Sequence, residues 1–296
     1  MRKVTGWLRA LAVAGTVTTC ATAFYVPSLH AEDLHSCSDS LGIQEPALSF
    51  QEMLMYKAKK LIDPKGADIE ARGRTLSVIV DGIKKIGPND PNKVDGLVAC
   101  IKTSGNHRIE EASTDAIART RTESAKRALY SLAANPQQNI APYAARQLAK
   151  IDPDMAADVI LGIARSGGRL GDDFGNILVG IGNEDSLAYF IGTKDPDYLS
   201  GFAIRNKDKE FLHRYSQEII RIIVQEGMEL PNGSLRCLDW RTMHSYGSAI
   251  RELDQTYAEG AIASDFEDRF RYACRGAWRS SDFDPGNMFL RGLRGK

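Results

Sequence analysis

The chain has 296 residues, 43% of them apolar and 26% charged, with 38 basic residues against 38 acidic ones. That composition excludes a disordered chain, and the length allows one elongated or two compact domains. Balanced charge without a dense run of Lys and Arg predicts no nucleic-acid partner and no strong pull toward anionic membranes.

The first 33 residues, MRKVTGWLRALAVAGTVTTCATAFYVPSLHAED, place Arg2, Lys3 and Arg9 ahead of a short apolar run from about Ala10 to Val26. This layout predicts a secretory signal peptide over residues 1–31. The run is interrupted by Gly15 and several threonines and falls short of the roughly 20 apolar residues of a spanning helix, so no transmembrane anchor is expected after cleavage. Cleavage is placed after Ala31, although Ala21-Thr22-Ala23 matches the small-x-small pattern better. Either cut removes the same three cations and leaves 35 basic residues against 38 acidic ones, near −3. A periplasmic or secreted location follows. Beyond the leader lie Cys37, Cys100, Cys237 and Cys274, and four cysteines allow three pairings. Nearness in sequence favours Cys37 with Cys100 and Cys237 with Cys274. Cys100, within an apolar run, is alternatively a buried free thiol.

Elements in chain order read as helices, because apolar residues return every three or four positions even around β-branched runs such as Ser77-Val78-Ile79-Val80. Ser49-Phe50-Gln51-Glu52 is a capping box that opens a helix through Leu61, and Asp63-Pro64 stops it. The Asp-Pro pair recurs at residues 90, 152, 195 and 284. Asp accepts from free amides at a helix start, and Pro has a helical φ and no amide donor to leave unpaired, so each pair predicts a helix start. From Pro91 onward the apolar positions repeat at 31 residues: Val98 falls on Leu129 and Ile160, Ile101 on Leu132 and Ile163, and Ile117 on Leu148 and Val179. Three units of paired helices are predicted, with glycines 175, 180 and 182 distorting or ending the third. A long helix is predicted from Asp208 to about Gly227, and a turn at Pro231-Asn232-Gly233-Ser234. The final helix is expected to start at Ser264 or Asp265 and to align Phe266, Phe270, Ala273 and Ala277.

Ala128-Leu129 to Leu132-Ala133, then Asn135-Pro136, then Tyr143-Ala144-Ala145-Arg146-Gln147-Leu148-Ala149-Lys150-Ile151, resembles the short HEAT-type repeats of bacterial proteins over about residues 91–182. The resemblance implies an all-α, right-handed helical-repeat solenoid working as a binding surface, with no common enzymatic activity. The expected organisation is a helical-repeat domain over 32–230 and a C-terminal helical cap over 231–296. Exposed helix faces carrying Arg119, Arg121, Arg146, Lys150 and Arg165 are the expected binding surface, and another envelope or extracellular protein is the expected partner.

No motif requires a cofactor, metal or catalytic group. His107, His213 and His244 lack HxxxH or HExxH spacing, and Asp239, His244 and Ser245 lack the Gly-x-Ser-x-Gly elbow. Asp172-Asp173 and Asp282-Phe283-Asp284 lack the twelve-residue calcium loop and read as helix caps. Gly167-Gly168-Arg169-Leu170-Gly171 has no GxxxxGK and reads as a turn. The Arg and aromatic run from Arg269 to Arg279 reads as an aromatic core stripe backed by an Arg face that flanking acidic residues neutralise, with recognition of an anionic glycan, phosphate or protein as the alternative. An envelope glycan or peptide hydrolase, with carboxylates or His244 in a cleft between repeats and cap, is the alternative expectation.

Overall fold

The computed structural model describes residues 31–44, 48–167, 170–254, 261–274 and 285–295. The predicted leader, apart from Ala31, lies outside them, as do Ala277 and Asp282-Phe283-Asp284. All regular elements among the described residues are helical, apart from one isolated antiparallel bridge between Glu229 and Leu235. They are α1 Ala31–Leu41, α2 Phe50–Ile62, α3 Pro64–Lys85, α4 Val94–Ser104, α5 His107–Thr120, α6 Glu123–Ala133, α7 Ala141–Ile151, α8 Pro153–Arg165, α9 Asp172–Ile181, α10 Glu184–Thr193, α11 Pro196–Arg205, α12 Lys209–Ile222, α13 Trp240–Leu253, α14 Ala261–Ala273 and α15 Pro285–Arg294. None of them is long and apolar enough to cross a membrane.

Local chemistry explains many of these boundaries. Ser49 and Glu52 form the reciprocal capping box at the start of α2. Asp63, Asp152 and Asp195 each accept a backbone N–H at the start of α3, α8 and α11, with the following proline as first helical residue. Pro285 likewise opens α15. Asp90 differs: it precedes a short 3-10 turn, Pro91–Lys93, and its carboxylate accepts from Gly87 N at 3.2 Å.

The first helices of successive pairs begin at Val94, Glu123, Pro153 and Glu184, offsets of 29, 30 and 31 residues. Helices continue beyond the glycines of α9, as α10 and α11. The roles of those glycines are geometric. A Cβ on Gly175 would lie 2.3 Å from the Tyr198 ring, and Gly182, at φ +69°, terminates α9 in the left-handed conformation. The first helices α4, α6, α8, α10 and α12 each contact the next, and so do α3, α5, α7, α9, α11 and α13. Two rows of helices thus enclose a core that runs from Leu34 to Leu293 and includes Ile117, Leu148 and Val179.

Three boundaries differ from expectation. Helix α12 ends at Ile222 and continues as a π-helical turn, Ile223–Met228. Gly227 sits inside that turn rather than ending a helix, and a Cβ there would meet the Tyr246 ring at 2.8 Å. Helix α14 starts at Ala261, ahead of Ser264, and α15 follows it. Helix α15 crosses α13 at close range, where a Cβ on Gly247 would stand 2.4 Å from the Phe289 carbonyl oxygen, and Phe266, Phe270 and Phe289 pack as an aromatic trio.

The cysteine sulfurs meet in two pairs at disulfide distance. Cys37 on α1 joins Cys100 on α4, and Cys237 joins Cys274 at the end of α14. The Pro231–Ser234 turn precedes the second pair, with Gly233 at φ +75°. Arg269 on α14 donates to Gly233 O and to Glu229, docking that helix onto the turn.

Candidate functional site

Helices α7, α9 and α11 lie side by side, α7 against α9 and α9 against α11. An open cleft of about 440 Å³ runs across them. Its floor is apolar, from Ala149, Ile177 and Ile181, and its rim carries Arg146, Lys150 and Arg205. Gly180 contributes no side chain, and a Cβ placed there would meet nothing within 4 Å. Lys150 is held in place by a relay in which its ammonium donates to Gln147 Oε1 at 3.0 Å and Gln147 Nε2 donates to Asp115 at 2.7 Å. Arg146 faces Asp173 at 3.6 Å, with both groups more than half exposed, so solvent screens the pair and leaves the rim cationic. Arg205 has no side-chain partner among the described residues.

The expected surface residues therefore separate. Arg146 and Lys150 come together, and Arg205, read from no repeat position, joins them. A last-turn cation facing its own helix C-terminus is the only sequence signal it carries. Arg119 is engaged elsewhere: its guanidinium donates to the carbonyls of Ile83, Lys84 and Ile86 and closes the end of α3. Arg121 is exposed and ends α5 at φ 52°, and Arg165 is exposed in the last turn of α8.

Along the rows, tyrosine hydroxyls on one helix donate to carboxylates on a neighbour. Tyr143 donates to Asp115 at 2.8 Å, Tyr130 to Asp158 at 3.4 Å, Tyr198 to Asp172 at 3.2 Å, Tyr246 to Asp197 at 2.7 Å, and Tyr215 to Glu184. Burial, reinforced by Asp115, pushes the Tyr143 hydroxyl up to about 12. Tyr246 is also pushed up, by burial first and then by Asp197. These bonds join row neighbours at sequence separations of 26 to 31 residues for four of the five. The sequence contained all ten residues but no sign of which would meet.

The residues named for hydrolysis are placed otherwise. Asp239 caps α13, accepting from Arg241 N, Thr242 N and the Thr242 hydroxyl. Ser245 Oγ lies 3.2 Å from Ser200 Oγ, and His244 and Ser245, adjacent on α13, project in different directions. His213 is exposed on α12, and His107 stands beside Glu110 and Glu111 on the surface of α5. Asp172 and Asp173 occupy the first turn of α9, engaged by Tyr198 and Arg146. Among the described residues, no three His, Cys, Asp or Glu side chains converge as metal ligands. On α14, Phe266 and Phe270 are buried, whereas Tyr272 is 75% exposed. No family model, curated protein sequence or solved structure matches the chain.

Proposed function

We propose that the chain is a non-enzymatic protein-binding scaffold of the bacterial cell envelope or extracellular space, exported through its N-terminal leader. In this reading the helix pairs stack as a right-handed, HEAT-like solenoid, and α13 to α15 close its C-terminal end. The cleft across α7, α9 and α11 receives an extended segment of another exported protein, one that alternates apolar and acidic side chains. The carrying observation is that three cations, Arg146 and Lys150 from α7 and Arg205 from α11, surround an apolar floor, a combination that favours carboxylates at the rim and aliphatic groups below. Two cysteine pairs at disulfide distance fit an oxidising compartment.

A photo-crosslinking amino acid at Asn176, in the cleft, tests the proposal in producing cells. A discrete protein adduct is expected, and the triple charge reversal R146E/K150E/R205E should abolish it. An adduct unaffected by the reversal would overturn the cleft assignment. Cleavage of envelope polymers by the purified chain, with no adduct, would overturn the scaffold reading.

A further inference from the structure

Helix α2 has its polarity reversed relative to an ordinary surface helix. Its polar side faces α3: Tyr56 donates to Asp68 at 3.1 Å, Lys60 pairs with Asp68 at 3.2 Å, and Lys59 pairs with Glu70. The apolar side faces outward. Leu54, Met55, Leu61 and Ile62 are 51, 68, 88 and 87% exposed, and Ile69 on α3 is 70% exposed. The polar contacts to α3 lie on one side of α2, which leaves its apolar side outward.

We infer that the outward face of α2 is a self-association surface on which a second copy of this chain docks by two-fold symmetry, the two α2 helices pairing antiparallel with each α3 on the outside. Three observations select a second copy. The first is area: at about 130–180 Å² per fully exposed large aliphatic side chain, Leu54, Met55, Leu61 and Ile62 alone supply roughly 380–530 Å², about half to two thirds of the ~800 Å² per partner of a stable interface. The second is self-complementarity. With the two-fold axis at Ala58, antiparallel α2 helices set Leu54 of one copy against Ile62 of the other and Met55 against Leu61. Ala58 is exposed at the centre, where a small side chain lets the two backbones approach. The third is the helix dipole: antiparallel α2 helices set the N-terminal end of one beside the C-terminal end of the other. An anionic bilayer fits less well, since Lys59 and Lys60 are already paired and the exposed carboxylate of Asp63 follows Ile62 directly.

This inference stands apart from the cleft proposal and fails or survives separately. Its test is the mass of the exported chain by light scattering and sedimentation at 1–100 µM, approximate concentrations that bracket ordinary homodimer affinities. A dimer is expected, and L61E/I62E should weaken it by about 100-fold or more. Leu61 and Ile62 are exposed in the single chain, so the variant should keep its helical circular dichroism and melting temperature. Under mild oxidation, A58C should give a covalent homodimer, because position 58 faces its own copy across the axis. A wild-type chain that is monomeric at 100 µM, or a dimer indifferent to L61E/I62E, would overturn the inference. Co-flotation of a monomer with phosphatidylglycerol vesicles, lost in L61E/I62E, would reassign the face to a membrane and overturn it equally.

Discussion

Replacing Gly247 by alanine should drive α13 and α15 apart. The added Cβ would stand 2.4 Å from Phe289 O and 3.1 Å from Leu293 N, backbone atoms that no side-chain rotation can move. Restoring ordinary contact near 3.4 Å needs about 1 Å of separation, enough to forfeit a quarter to a half of the dispersion between facing atoms. Phe289, Leu290 and Leu293 on α15 and Met243 and Ile250 on α13 are all buried there. At about 1.5–3 kcal/mol for each buried side chain, losing a quarter of their packing costs roughly 2–4 kcal/mol. Alanine's better helix propensity returns about 1 kcal/mol, leaving a net loss of about 1–3 kcal/mol. Gly162→Ala is the matched control, because a Cβ in the exposed interior of α8 meets nothing within 4 Å and should stabilise by about 0.5–1 kcal/mol. Urea unfolding of both variants checks the pair, and amide hydrogen exchange should show faster opening of α15 in Gly247→Ala alone. If Gly247→Ala were as stable as the wild type, the close crossing of α13 and α15 would be wrong.

Ser113→Ala should be neutral or stabilise by up to about 1 kcal/mol, since Ser113 Oγ is fully buried with no hydrogen-bond partner among the described residues; a measurable loss in thermal melts would indicate a partner. The Tyr143 hydroxyl is raised from 10.0 to about 12, so its stabilising contribution is complete below pH 10 and lost as pH climbs through 12. Tyr143→Phe should therefore flatten the fall in stability between about pH 10 and 12, read from urea midpoints against pH, and an unchanged slope would count against the Asp115 bond. Non-reducing peptide mapping should recover Cys37 with Cys100 and Cys237 with Cys274. On the chain-entropy account, C37A/C100A should cost about 4 kcal/mol for a separation of 63 residues, and a cost near zero in urea melts would contradict it.

Helix starts were legible in the sequence because capping is local chemistry: Asp63, Asp152 and Asp195 bond amides two or three residues away, within the dipeptide's own reach. The all-helical class was legible for a similar reason, since apolar period survives in the linear chain. What the period does not encode is the direction an apolar stripe faces, which is why α2 reads as an ordinary amphipathic helix until Lys59, Lys60 and Tyr56 are seen meeting α3. Arg119 and Arg146 look alike on their helices, yet the end of α3 captures one and a cleft exposes the other. The Tyr143–Asp115 bond joins residues 28 apart, a distance at which composition alone offers many pairings. The glycines of α9 weaken its helix propensity, but Gly175 is required by the approach of Tyr198, so packing overrides propensity there.

The two cross-links also define how the molecule would bear tension. Load applied outside Cys37 and Cys274 bypasses the loops closed by Cys37–Cys100 and Cys237–Cys274, so only residues 101–236, 136 of them, can be drawn out between the bridges. At about 3.3–3.6 Å per residue, that stretch has a contour length of roughly 450–490 Å. The helices nearest the bridges, α1 and α4 at one end and α14 at the other, are tied to the load path by sulfur, while the cleft lies wholly within the extensible stretch. A partner held in that cleft would feel strain before either end gives way.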